Sequence, residues 1–247
     1  MPTPSAYGYR AKLGLIVPPT NTVNEAEWAR MAPDGVTVHS ARMPLHADTH
    51  TEAGLAALHA DIGKAVADLR QARVDVVAYG CTAGSMVIPP ESLPARIGEM
   101  AGVPGVTTAA AIVRALQDLG VRRVSVATPY HRALDEHERA FLTANGFEVL
   151  SIRGLGIGAG GPQEYVRIAE TPLAAVDRHA RESFVPGSDA LLITCTDFPT
   201  LPLLPALEAD LGVPVVTSNQ ATFRAAVRAA GVRDRFERFG RLLRDLP

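Results

Sequence analysis

Apolar residues along this chain fall into two alternating rhythms. Short runs rich in Val, Leu and Ile occur at 13–17, 36–39, 74–79, 105–107, 123–127, 147–152, 190–194 and 215–217. Runs of this length and composition read as strands buried on both faces. Between them the period lengthens. Leu55, Leu58, Ile62, Val66 and Leu69 recur every three or four residues, as one face of a helix does. Ile112, Leu116 and Leu119 mark a second helix, and Leu204, Leu207 and Leu211 a third. Strands alternating with helices predict an α/β protein, with parallel sheets covered by helices on both faces.

The pattern also repeats itself. One half runs VDVVAYGCT from Val74 to Thr82, then a Pro-rich loop and a helix, then GVPGVTT from Gly102 to Thr108. The other runs DALLITCT from Asp189 to Thr196, a Pro-rich loop and a helix, then GVPVVTS from Gly212 to Ser218. Each continues into an Ala-rich helix, carrying Arg114-Ala115 or Arg224-Ala225. Upstream of each Cys-Thr pair a strand ends in a Pro-containing turn, at Pro18-Pro19-Thr20-Asn21 and at Pro129-Tyr130. Self-similarity of this kind predicts two copies of one four-stranded unit facing each other about a pseudo-two-fold axis. Residues 1–113 with the returning 220–247 form the expected first lobe, and 114–219 the second. Ligands of open parallel sheets bind beyond the carboxyl ends of the strands. Cys81, Cys195, Asn21 and Tyr130 then surround one cleft between the lobes.

Composition narrows the possibilities. The 247 residues carry a formal net charge of −2, with 47% hydrophobic and 20% charged positions. That is too apolar for disorder and too evenly charged for a protein held to nucleic acid by phosphate neutralisation. No apolar run approaches the ~18 residues that span a bilayer, and residues 1–10 lack a signal-peptide core. A cytoplasmic location without membrane contact is expected. There thiols stay reduced, so a structural disulfide between the two cysteines is not. No metal is expected either: His46, Asp48 and His50 lack a further ligand and read as surface loop residues. The Gly-rich run 154–161 resembles a dinucleotide loop only superficially. No acidic ribose ligand follows it, so it reads as a flexible loop or lid, and no nucleotide cofactor is expected. Residues 233–244, with Phe236, Phe239, Leu242 and Leu243, read as a docking helix with a solvated charged face.

One cysteine in an α/β chain is ordinarily a buried filler. Here the only two fall on equivalent repeat positions, each at a strand end and each followed by Thr, which marks them as chemistry. A free thiol has a pKa of ~8.5, so the site must favour the thiolate. No basic residue flanks either cysteine, leaving loop N–H groups and the hydroxyls of Thr82 and Thr196 as expected support. Thr107, Thr108, Thr217, Ser218 and Asn219 add neutral donors near helix N-termini, suited to a carboxylate and a developing enolate. From the residues alone, the two thiols suit acid/base work on opposite faces of a small planar acid. Two-base racemisation or epimerisation of an amino acid or hydantoin-like compound fits them, and so does a non-catalytic small-acid-binding protein.

A duplicated lobe with a cysteine at each equivalent strand end resembles the aspartate/glutamate racemase superfamily. The opening GLIVPPTNT, Gly14 to Thr22, resembles the branch of maleate cis–trans isomerases and arylmalonate decarboxylases. The resemblance runs from Leu13 to about Val232. Arylmalonate decarboxylases share Pro18-Pro19, Thr82, Tyr130 and Cys195 but carry Gly in place of Cys81. Maleate isomerases match Asn21, Glu25, Tyr130 and both thiols. The resemblance therefore implies a cofactor-independent isomerase of a small cis-enedioate such as maleate. It assigns Cys81 as nucleophile and Cys195 as proton donor. Pro18, Asn21, Thr82, Ala83, Tyr130 and Thr196 are the implied substrate contacts, with Gln163 standing for an isomerase Asn. The chain departs from the isomerases at CTDFP, where Asp197 joins the expected contacts; this stretch is closer to racemase-like proteins found with ectoine breakdown genes. A homo-oligomer acting on a small dicarboxylate is expected.

Overall fold

The computed structural model describes residues 5–46 and 51–245. The first half runs β1 (Ala11–Val17), α1 (Asn24–Met31), β2 (Val36–Arg42), α2 (Glu52–Gln71), β3 (Val76–Tyr79), α3 (Ser92–Ala101), β4 (Gly105–Thr107) and α4 (Thr108–Asp118). The second runs β5 (Arg123–Tyr130), α5 (Arg132–Ala144), β6 (Glu148–Ile157), α6 (Val166–Ala169), α7 (Leu173–Ser183), β7 (Ala190–Ile193), α8 (Leu204–Leu211) and β8 (Val215–Thr217). The helices α9 (Ser218–Ala229) and α10 (Arg241–Arg244) follow. The strands form two parallel four-stranded sheets, ordered β2-β1-β3-β4 and β6-β5-β7-β8. The strand order is the same in both, as the sequence repeat predicts.

The central strands owe their all-apolar sequences to coverage on both faces. Every residue of β3 and β7 is buried. On one face of the first sheet Ile16 and Val77 pack with Leu58, Ile62 and Val66 of α2 and Ile97 of α3. On the other, Leu13, Leu15, Val76 and Ala78 belong to a core that continues through α4 and α9 into the second lobe. Helix α9 packs on α4 and α1 and touches β1, β3 and β4, although it follows the second sheet in sequence. It also touches β8, and so lies between the two sheets.

Three expectations change. The Gly-rich stretch is strand as far as Ile157, because β6 pairs along β5 up to Tyr130. Gly154 is needed there, since a side chain would strike the Tyr130 carbonyl and the Asp135 carboxylate. The remainder is a pinned turn, with Glu164 Oε2 accepting from the N–H groups of Gly158 (2.9 Å) and Gly160 (3.2 Å). Residues 233–240 are not helical; the helix there is the single turn α10. Phe236, Leu242 and Leu243 are nonetheless buried. The segment is held by hydrogen bonds from Arg241 N to Glu208 (3.0 Å) and from Gln220 to the Phe239 carbonyl. Finally, His46 is not a free surface residue: it pairs with Asp61 at 3.1 Å. Asp48 and His50 lie outside the described residues.

Candidate active site

The carboxyl ends of both sheets meet at one cavity of about 170 Å³, below the ~300–1,000 Å³ of drug-sized ligand sites. Cys81 follows β3 and Cys195 follows β7, and both line it. So do Pro18, Asn21, Thr82, Ala83, Tyr130, Thr196 and Asp197. Leu45 and Leu134 add apolar wall, and Pro162, Tyr165 and Ile168 close it from the turn after β6. Gln163 does not reach it. Its amide donates to the Gly160 carbonyl at 2.6 Å, on the exposed side of that turn. Met86 and Val87 lie in the cores rather than on this wall.

The thiols are supported differently from the expectation. Burial pushes Cys81 above the ordinary thiol range, opposed by hydrogen bonds from Gly84 N–H (3.4 Å) and the Tyr79 phenol. Burial and then the charge of Asp197 push Cys195 still higher, opposed by Asp197 N–H and the Tyr130 phenol. A phenol thus stands on each sulfur. Buried phenols are themselves held far above their ordinary pKa, so they remain donors. Gly84 is required at its position, because a side chain there would collide with the Tyr79 hydroxyl and approach Cys81 Sγ to 3.1 Å. Cys195 sits at φ 82, in the left-handed region that side chains avoid. The threonine hydroxyls do other work: Thr82 Oγ1 meets Ser218 Oγ at 2.9 Å, and Thr196 Oγ1 donates to the Gly80 carbonyl at 2.9 Å.

Those bonds join distant parts of the chain, as do several more. Asn21 Oδ1 accepts from Val23 N (3.1 Å) and Asn24 N (3.0 Å) at the start of α1, while its Nδ2 donates to Thr196 Oγ1 at 3.0 Å. The second Nδ2 hydrogen has no partner among these hydrogen bonds. Asp197 Oδ1 accepts from Thr22 N at 2.9 Å. Glu27 of α1 accepts from Thr200 N, Leu201 N and Asn219 Nδ2, each at 2.7 Å. Tyr79 and Glu27 were not singled out in the sequence. An isolated Tyr closing an aliphatic strand was the available signal for the first; nothing local marks the second. Among the described residues no group of three His, Cys, Asp or Glu is placed to hold a metal, and no helix is long and apolar enough to cross a membrane.

Each sheet brings a thiol and a phenol to one small cavity, and the likeness to maleate isomerases marks the chain as an isomerase. The chain belongs to the arylmalonate decarboxylase family, whose model matches residues 13–243. It is 30% identical to the maleate isomerase of Nocardia farcinica over 94% of this chain and 95% of that protein. To the arylmalonate decarboxylase of Bordetella bronchiseptica it is 32% identical, over 89% and 90%. Among solved structures, a variant of the N. farcinica enzyme with a covalently bound succinylcysteine intermediate superposes with a TM-score of 0.83, at 28% identity over 96% of this chain and 99% of that one. The maleate isomerase of Pseudomonas putida S16, in a variant with maleate, gives 0.84 at 26% identity, over 94% and 97%.

Proposed function

We propose that this chain interconverts the cis and trans forms of a small enedioate, maleate to fumarate, by reversible covalent addition. The observation that carries this reading is the pair of thiols on a single cavity, Cys81 buried and Cys195 half-buried, one at the end of each sheet. Rotation about C2–C3 requires the π bond to be broken. Cys81 as thiolate adds to C2, and the π electrons move through C3 into its carboxylate as an enediolate. Cys195 gives its proton to C3, leaving a succinyl thioether with a freely rotating C2–C3 bond. After rotation the Cys195 thiolate takes that proton back, the π bond reforms, and the C2–S bond breaks to return the Cys81 thiolate and fumarate. The free hydrogen of Asn21, the Tyr130 hydroxyl and the amides at Thr82, Ala83 and Thr196 hold the carboxylates and the enediolate. The succinylcysteine in the N. farcinica relative is an adduct of this type.

Proton NMR of maleate incubated with the protein should show the cis-alkene signal replaced by that of fumarate. Cys81→Ser should lower the rate by ~10³ or more with an unchanged circular dichroism spectrum. Residual activity above a tenth of wild type rules out Cys81 as the nucleophile. Deuterium uptake at Cα of an amino acid, without a protein adduct, replaces isomerisation by two-base racemisation.

A further inference from the structure

On the isomerase reading the cavity receives an acid, yet among the described residues none of its lining groups is a lysine or arginine. It contains instead a carboxyl of its own. Asp197 is buried, with Oδ1 held by Thr22 N and Oδ2 without any hydrogen-bond partner. The groups facing it offer little neutralisation. Cys195, on the same turn, is itself destabilised as an anion by Asp197. Arg42, at the end of β2, is the nearby cation, but its guanidinium is occupied by the carbonyls of Asn21 (2.7 Å) and Pro18 (3.3 Å) and by Glu25. His46 on the lining is engaged by Asp61. Burial, only partly offset by the N–H groups of Thr22 and Val23 and by Arg42, brings the Asp197 carboxyl up to about 7.

We propose that Asp197 selects the charge of the substrate: a carboxylate is accepted against this wall only with a proton held between it and Asp197, whereas a primary amide is accepted there without one. This rests on the isomerase reading for the shape of the substrate, a four-carbon acid with a polar group at each end. Two carboxylates facing each other in a dry cavity cannot both stay ionised. The shared proton satisfies the vacant Oδ2, and an amide N–H does the same from the ligand side.

Binding of two unreactive saturated acids separates this from turnover. Calorimetric titration of the wild-type protein with succinate at pH 8, in two buffers of different ionisation enthalpy, should show uptake of close to one proton per site. Succinamate should show almost none. Succinate affinity should fall about tenfold per pH unit above neutrality, and succinamate affinity should stay level. Asp197→Asn keeps an acceptor for Thr22 and should abolish the proton uptake. In turnover, the ratio of kcat/KM for maleate over maleamate, which cancels the shared need for the Cys81 thiolate, should fall by the same tenfold per unit. It should be flat in Asp197→Asn. Equal proton uptake with the two acids, no uptake with succinate, or no binding of either acid overturns the proposal. Proton-linked succinate binding without turnover of maleate sustains it and removes the isomerase reading instead.

Discussion

A thiol taken out of water binds its proton more tightly, and Cys81 reacts only to the extent that something opposes this. Two groups do so, Gly84 N–H and the Tyr79 phenol. Replacing Tyr79 by Phe keeps the buried ring and deletes one of them. The pH midpoint for alkylation of Cys81 by iodoacetamide should therefore move upward, and at neutral pH the reaction should slow by about tenfold for one pKa unit. An unchanged midpoint means that the phenol does not support the sulfur. The thiols themselves were legible in the sequence because they are its only two cysteines and occupy matched repeat positions. Their supporting phenols were legible only by half. Tyr130 stands out by its place in the Pro-containing turn that ends a strand, and by the family resemblance, whereas Tyr79 ends a buried strand, where aromatic bulk needs no further explanation. Gln163 sits off the cavity for a local reason: its amide donates within its own turn, and its neighbours Pro162 and Tyr165 line the cavity.

Helices and strands join the lobes as well as form them. Helix α1 belongs to the first sheet, but its Glu27 carboxyl is the acceptor for two backbone N–H groups and one amide of the second lobe and α9. Glu27→Ala takes the acceptor from these three buried donors and from the Thr200 hydroxyl at 3.5 Å, at ~1–3 kcal/mol for each unsatisfied group. Urea denaturation should register a loss on the order of 3 kcal/mol or more, and a loss below about 1 kcal/mol shows that water replaces the carboxyl. This tie was invisible to pattern reading because it joins residues far apart in the chain. Strands fared better. Doubly covered parallel strands must be continuously apolar, so all eight runs correspond to strands, although β6 continues five residues beyond its run to Ile157. The C-terminal segment misled by spacing alone: Phe236, Phe239 and Leu242 recur at three residues, yet Gly240 turns the chain at φ 79 and each apolar group enters the core separately.

The molecule as a whole is two similar halves, and helix α9, which follows the second sheet, packs against strands of the first. Its symmetry was readable from the duplicated Cys-Thr and Gly-Val-Pro segments, but which sheet α9 covers was not, since helical periodicity says that a face is buried and not against what. That placement sets a timetable for synthesis. The strands of the first sheet leave the ribosome well before α9, so the face formed by Leu13, Leu15, Val76 and Ala78 has only α1 and α4 beside it while the entire second half is made. Ribosome-stalled chains ending at residue 200 should remain open to protease within β1–β4, and chains long enough to release α9 should become resistant. Early resistance shows that the first lobe closes on its own. In a growing cell the interval belongs to chaperones: a slow stretch of translation between β5 and α9 prolongs the exposure of an unfinished sheet, whereas one after α9 leaves it harmless.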